Sequence, residues 1–154
     1  MNRRNFVSSS LAMGALGHSR AKGQSNLPKF KLKYAPHPGM FRHSAGDDIL
    51  DQIRFSADQG FTAWEDNGAG DRSTEIQNKI GETIDRLGMT MGVFVSFYGG
   101  TAAFDSHDFV TRTDQEFQGK IRNQMLRAVE VAKRVNAVWT TVVLGLVNQK
   151  LAPS

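Results

Sequence analysis

Five residues at or directly after the ends of predicted β-strands carry the side chains best suited to chemistry. His37 could contact a hydroxyl or carboxylate group of a substrate, or it could be a turn histidine beside two prolines. Glu65 could hydrogen-bond a substrate or support a metal ligand, or it could be a buried carboxylate paired with a neighbouring base. Asp66 and Asn67 either extend that site or only start a turn, and Tyr98 either covers a substrate or packs.

Several kinds of chemistry are excluded by missing residues. The chain has no cysteine, which rules out disulfide frameworks, zinc ribbons, iron–sulfur clusters and thiol nucleophiles. The G-x-S-x-G elbow of serine hydrolases does not occur. His43 and His107 lie in predicted loops without a partner at ligand spacing, and Met89 and Met91 are interpreted as strand core. Since a catalytic divalent ion usually needs roughly three protein ligands, we expect this chain to bind no metal alone.

These side chains are positioned by a repeating pattern of strand and helix. Apolar or alternating segments predict four strands, at residues 30–37, 61–65, 89–98 and 137–144. Trp64 and Trp139, in the second and fourth of them, are expected in the core or the barrel wall.

Three helices are predicted between the strands from apolar periodicity and end signals. The first helix is predicted to begin after Asp48 and to end at Gly60. The second is predicted between Thr74 and Gly88, and the third between Thr113 and Asn136. The second and third helices are each expected to begin with a capping box, because a glutamine or glutamate follows the threonine three residues later.

Alternating strands and helices predict parallel βαβ units and an α/β fold. A doubly wound nucleotide-binding sheet would carry G-x-G-x-x-G after its first strand, and this sequence does not. Four strands and three helices amount to half of a (β/α)8 TIM barrel, which needs about 250 residues. The predicted fold of residues 30–154 is therefore a partial barrel, with its last strand at an open edge through which the chain is expected to self-associate.

The N-terminal residues 1–21 are predicted to be an export signal. Arg3 and Arg4 precede Phe6 in the spacing of a twin-arginine signal, and a short, weakly apolar stretch follows. The alternative is a disordered basic terminus of a cytoplasmic protein. Residues 22–29 are polar and are interpreted as a linker. On this interpretation the mature protein is exported or periplasmic and has no membrane attachment after the signal is cleaved.

The basic charge belongs mainly to this leader. The whole chain has 19 lysines and arginines against 15 acids, a net charge of +4. Residues 1–21 hold three arginines and no acid, so the remaining residues carry 16 bases against 15 acids, a net of +1. A nearly neutral domain argues against nucleic acid as a partner.

Two segments resemble the xylose isomerase-like TIM-barrel superfamily. Residues 60–65, Gly-Phe-Thr-Ala-Trp-Glu, are similar to its Gly-Phe-x-x-x-Glu signature on the second strand. Gln115, Glu116 and Phe117, with residues 128–137 leading into a valine-rich strand, are similar to the third helix and fourth strand of the hydroxypyruvate isomerase branch. A twin-arginine leader is also common on exported members of this group, and the resemblance covers roughly residues 30–145.

The resemblance implies a metal-dependent isomerase or epimerase that acts on a small sugar or a hydroxy or keto acid. In that family the Mg²⁺ or Mn²⁺ ligands and the proton-transferring glutamates come from the second half of the barrel. The residues left as tentative substrate contacts are His37, Glu65, Asn67 and Tyr98. The third strand ends in Ser96, Phe97 and Tyr98, where the branch often has a histidine, which leaves the substrate open.

Because the second half of the barrel is missing from this sequence, we expect the chain alone to be inactive. The alternative is a truncated or degenerate half-barrel without catalytic function that only binds a partner. An endonuclease IV-like enzyme of the same superfamily is disfavoured by the low domain charge, the leader and the missing strand histidine.

Overall fold

The structure, a computed structural model, describes residues 28–98, 112 and 114–143 of the chain. Within these residues the helices are α1 (Arg42–Ala45), α2 (Ile49–Asp58), α3 (Thr74–Leu87) and α4 (Gln115–Val135), and a single 3₁₀ turn covers Ala69–Asp71. The strands are β1 (Ala63–Trp64), β2 (Thr90–Met91), β3 (Val95–Tyr98) and β4 (Thr141–Val143). The α/β class is confirmed, and α1 was not predicted. The leader, most of the linker, His107 and residue 144 lie outside the described residues.

The helix α2 begins and ends where its sequence signals predict. The Asp48 carboxylate accepts hydrogen bonds from the backbone N–H groups of Leu50 (2.7 Å) and Asp51 (3.2 Å), which have no partner inside the helix. After the last turn, Gly60 adopts φ +92°, a conformation that favours glycine. The negative charge of Asp48 also interacts favourably with the helix dipole.

The caps of α3 and α4 lie one residue away from their predicted positions. Ser73 and Asp114 are the N-caps, each accepting a hydrogen bond from the backbone N–H three residues later, at 3.3 and 2.9 Å. The predicted capping boxes at Thr74 and Thr113 are therefore wrong. A cap needs extended backbone, which Ser73 and Asp114 have (ψ 150° and 156°), whereas Thr74 is already the first helical residue. The Arg112 guanidinium and the capped N–H hold the pKa of Asp114 well below its usual range.

Left-handed residues end both of these helices, as predicted. Gly88 follows α3 with φ +63°, and Asn136 follows α4 with φ +59°. Glycine adopts this conformation without steric cost, and asparagine is among the few other residues that tolerate it. The chain therefore turns back toward the sheet directly after each helix.

The strands are all parallel and form two short ladders. Ala63 pairs with Thr90 and Trp64 with Met91 in the first ladder, and β3 pairs with β4 in the second. The predicted strand over residues 89–98 is interrupted at Gly92, so that β2 serves one ladder and β3 the other. Gly92 N–H still donates to the Trp64 carbonyl at 2.7 Å, and a Cβ at Gly92 would lie only 3.2 Å from that oxygen, so the glycine allows this close approach.

Residues 30–37 do not form the first strand that the sequence predicts. Two backbone hydrogen bonds hold the segment beside β1, from Phe30 N–H to the Gly60 carbonyl and from Glu65 N–H to the Pro36 carbonyl, both 2.9 Å. Pro36 cannot donate to a ladder, and the predicted alternation buries only Pro36, since Phe30, Leu32 and Tyr34 are all exposed. The segment nevertheless runs parallel to β1, because its earlier residue, Phe30, bonds to the earlier residue Gly60 and its later residue, Pro36, bonds to the later residue Glu65.

The fourth strand is shorter than the predicted residues 137–144, and Trp139 does not lie in the core. The side chain of Trp139 is 74% exposed and that of Val138 is 80% exposed. Both residues precede β4, an apolar and β-branched strand that pairs with β3 on one side and with no described strand on the other. Trp64, in contrast, is fully buried, as predicted.

The larger of two hydrophobic clusters among the described residues joins β1 and β2 to the three longer helices, and Phe97 of β3 packs with Phe117 in the smaller one. The larger cluster contains Ile49 and Ile53 of α2, Ile80 and Ile84 of α3, Ala128, Val131 and Val135 of α4, and Trp64, Ala69, Met89, Met91 and Phe94. Because α2 packs against α3 and α3 against α4, these helices lie side by side over one face of the strands. The burial of Met89 and Met91 confirms their interpretation as strand core. None of the helices in the described ranges is long and apolar enough to span a membrane.

Two helical glycines differ in a way that tests this packing. A Cβ on Gly81 of α3 would overlap the carbonyl oxygen of Arg134, whereas a Cβ on Gly119 of α4 meets nothing within 4 Å. We expect Gly81→Ala to destabilise the fold by about 2 kcal/mol or more, because the backbones of α3 and α4 must separate. Gly119→Ala should stabilise it by about 0.5–1 kcal/mol through helix propensity. Urea unfolding of both variants measures this, and equal effects would contradict the helix contact.

Candidate functional site

The face of the sheet opposite the helices carries the candidate site. Trp64 and Met91 point into the helix-covered core, so alternation along the strands directs Ala63, Glu65 and Thr90 to the other face. Lys33, from the segment beside β1, donates a hydrogen bond to the Thr90 hydroxyl at 2.9 Å. A polar surface therefore lies across the neighbouring segments on this face, and no signal in the sequence pointed to Lys33 or Thr90 as its members.

Glu65 and Asn67 form the centre of this surface. The side-chain N–H of Asn67 donates to the Glu65 carboxylate at 3.0 Å. Glu65 is half-buried and directly follows β1, and its Cβ lies 3.6 Å from the position that a Cβ on Gly92 would occupy. That distance is ordinary van der Waals contact, so Gly92 and the Glu65 side chain lie next to each other at the strand end.

His37 follows Pro36, whose carbonyl bonds to Glu65, and it is the first residue of a turn. The Glu65 N–H binds the carbonyl of the preceding Pro36, which fixes the start of this turn. Met40 N–H then donates to the His37 carbonyl at 3.2 Å, with Pro38 and Gly39 between them and φ +95° at Gly39, as a type II turn requires. The ring is exposed, and its Nδ1 lies 3.0 Å from the Pro38 carbonyl, which leaves Nε2 facing outward for another partner.

Buried Gln52 anchors the turn that contains His37. Its side-chain oxygen accepts from Gly39 N–H at 2.8 Å, and its amide nitrogen donates to the Gly46 carbonyl at 2.9 Å. The turn is thus attached to α2 by a buried amide whose hydrogen-bonding groups are both used. No signal in the sequence separated Gln52 from the other polar residues of that helix.

Tyr98 is the candidate that lies apart from the others. The Asn67 carbonyl accepts from Val95 N–H at 3.2 Å, which places the start of β3 against the loop after β1. Tyr98 is three residues further along β3, or about 10 Å at the rise of a strand, and its side chain is 55% exposed. The structure therefore brings His37, Glu65 and Asn67 to one edge, and leaves Tyr98 above it.

The buried carboxylate of this loop is Asp66 rather than Glu65. The side chain of Asp66 is 2% exposed and pairs with Arg72, with contacts of 2.5 Å to Nε and 3.2 Å to Nη2. Its Oδ1 also accepts from Gly68 N–H at 3.2 Å. In the sequence, Asp66 begins an Asp-Asn-Gly turn and Arg72 follows six residues later, a spacing that could have indicated the ion pair. The alternation of β1 alone does not show which of Glu65 and Asp66 is buried. Removing one partner of such a pair typically costs about 3–5 kcal/mol.

The described residues do not form a metal centre. No group of three or more histidine, aspartate or glutamate side chains within the described ranges could hold a metal ion. At the candidate edge, Glu65 is already engaged by Asn67, and the second nearby carboxylate, Asp66, is neutralised by Arg72. The donor set does not fit a divalent ion by itself, so no chemistry is assigned to one at these residues.

Comparison of the chain with protein-family models, with curated proteins and with solved structures finds no match. The resemblance to xylose isomerase-like barrels, the metal and the export signal therefore stay predictions.

Proposed function

We propose that the complete protein is an exported barrel isomerase or epimerase acting on a small sugar or a hydroxy or keto acid, and that this chain is its substrate-orienting first half. The observation that best supports this role is the Glu65 carboxylate, held by Asn67 at the carboxyl end of β1 on the face opposite the helices. Active sites of α/β barrels lie at that end of the strands.

The arrangement of the strands favours a barrel over a doubly wound sheet. The segment 30–37, β1 and β2 are neighbours in the same order as in the sequence, and β4 follows β3 in the same way. The helices α2, α3 and α4 cover one face, whereas a doubly wound sheet has helices on both. A sheet covered on one face leaves the other face free to become the inside of a barrel.

Within this proposal the described residues bind and orient a substrate. A carboxylate offers about four acceptor positions, so Glu65 retains acceptor capacity for substrate hydroxyl groups beside the bond from Asn67. Lys33 adds a positive charge on the same face, suited to a substrate carboxylate. Isomerisation moves a proton between adjacent carbons, and the resemblance assigns that step and its metal to later strands. The half described here is therefore expected to turn over nothing by itself.

The natural protein, isolated from its host, tests the barrel and the export together. We expect an intact mass corresponding to a barrel of about 250 residues, and an N-terminus at Lys22 in the exported fraction. Mass spectrometry and N-terminal sequencing measure both. A cytoplasmic protein that begins at Met1 and has the mass of 154 residues would contradict the isomerase and favour the non-catalytic alternative.

The role of Glu65 is tested in that complete protein. Glu65→Gln should lower kcat/KM by about tenfold, since a neutral amide orients a substrate hydroxyl less strongly than a carboxylate does. Glu75→Gln is the matched control, because Glu75 pairs with Lys79 on the outer surface of α3 and should leave turnover unchanged. Equal effects of the two substitutions, or isomerase turnover by the present chain alone, would show that the site is misplaced.

The alternative of a self-associating half-barrel is favoured by an apolar groove beside β4. Met125, Val129 and Ala132 of α4 face Val138 and Trp139 across this groove, whose volume is about 510 Å³. The lining of the groove ends at Thr140, directly before β4, and the edge of β4 away from β3 has no pairing strand among the described residues. An open strand edge beside exposed apolar side chains is a surface on which a second copy of the chain would pair.

Self-association through the groove is tested with Trp139→Glu. We expect the 154-residue chain to sediment as a dimer or larger species, and the substitution to shift it to monomer, because a carboxylate in an apolar contact is not solvated. Leu126→Glu is the control, since Leu126 is exposed on α4 outside the groove. A cooperatively unfolding monomer in the unsubstituted chain would exclude this alternative.

A further inference from the structure

A second cavity lies on the helix-covered side of the sheet, away from Glu65. Its volume is about 510 Å³, and it opens between the loop after β1, the start of β3 and one face of α4. The polar residues that line it include Arg72, Gln77, Ser96, Gln124, Arg127 and Arg134, which together are called the arginine pocket. Cavities of this size commonly bind small molecules.

The buried amide of Gln77 organises one wall of the arginine pocket. Its nitrogen donates to the carbonyls of Ala69 and Arg72, both at 2.9 Å, and its oxygen accepts from Arg134 Nη1 at 3.0 Å. Gln77 is 3% exposed, so these bonds form in a region largely shielded from water. Arg134 is thus held in a fixed orientation by a neutral partner, which leaves its positive charge uncompensated by that bond.

A second arginine of the pocket is held by a glutamine in the same way. Gln124 donates to the Ser96 carbonyl at 3.0 Å, and its side-chain oxygen accepts a hydrogen bond from Arg127 Nη2. Arg127 and Arg134 are seven residues apart, two turns of α4, so both lie along one face of the helix. A second guanidinium is therefore oriented at the pocket by a neutral amide.

The charges around the pocket leave these two arginines without ion-pair partners. Arg72 is neutralised by Asp66, and Glu130 forms its ion pair with Lys133 at 2.7 Å. Among the described residues, no carboxylate lies within 4 Å of the guanidinium nitrogens of Arg127 or Arg134. Asp71, the other carboxylate of the lining, is exposed, and the pKa of Glu130 is lowered first by Lys133 and only then by the charge of Arg134.

We propose that the arginine pocket binds the phosphate group of a small phosphorylated metabolite. A phosphate monoester carries nearly two negative charges near neutral pH, which matches the two arginines that lack an ion pair. Guanidinium groups donate paired hydrogen bonds to phosphate oxygens, and both groups are already oriented by glutamines. Thr74, in the first turn of α3, also lines the pocket, so the positive end of that helix dipole favours the same charge. The volume leaves room for a small organic group beyond the phosphate.

The proposal is tested by titrating the 154-residue chain with glycerol 1-phosphate in a calorimeter. We expect saturable binding of one equivalent, and no binding of glycerol. Arg127→Gln should weaken the binding about tenfold, because one charge-assisted contact is lost while the exposed position preserves the fold. Arg122→Gln, on the same helix but outside the pocket, removes the same charge and should change the dissociation constant less than about twofold.

Each other outcome would overturn the proposal. Equal weakening by Arg127→Gln and Arg122→Gln would indicate attraction to overall charge. Absence of binding when glycerol 1-phosphate is in 20-fold excess over a dissociation constant of about 1 mM would exclude the site. Binding of glycerate as tightly as glycerol 1-phosphate would assign the pocket to carboxylates, and preference for a short oligonucleotide would assign it to nucleic acid. Arg134→Lys, followed by circular dichroism, separates loss of binding from loss of fold. The result is independent of the isomerase proposal, because the pocket and Glu65 lie on opposite sides of the sheet.

Discussion

The close contact between α3 and α4 at Gly81 is the constraint on which the rest of the structure depends. Glycine inside a helix costs about 1 kcal/mol relative to alanine, and here the missing side chain lets the Arg134 carbonyl approach the α3 backbone. The same crossing places Arg134 within reach of Gln77 and Asn136 within reach of the Gly81 carbonyl. These polar bonds fix how far α4 extends over β3, and thereby the width of the cavity between them.

The ends of the helices could be predicted from the sequence, because they depend on local chemistry. Asp48, Gly88 and Asn136 act within one turn of their own position, through an acceptor for a free N–H or a tolerated left-handed backbone. The strands depend on pairing partners that are distant in sequence. Residues 30–37 alternate as a strand would, but Pro36 has no N–H to donate, and only two backbone hydrogen bonds form with the residues around β1. The strand β4 pairs with β3 on one side and with no described strand on the other.

The candidate site was predictable in its location and only partly in its residues. Glu65 and Asn67 were identified because they follow a strand, and the structure joins them by a hydrogen bond. The different roles of Glu65 and Asp66 could not be predicted, since adjacent residues after a strand point to opposite sides and only the fold decides which side is covered. Asp66 became the buried ion pair because Arg72 returns to it through the 3₁₀ turn.

The short strand β3 connects the two proposed binding regions without mixing them. Val95 N–H binds the Asn67 carbonyl in the loop after Glu65, whereas the carbonyl of the next residue, Ser96, accepts from Gln124 in the arginine pocket. Both contacts are made by backbone groups of β3, so the strand supports the loop after Glu65 and the wall of the arginine pocket at the same time. Glu65 and Lys33 lie on the face opposite the helices, whereas Arg127 and Arg134 lie on α4, on the helix-covered side.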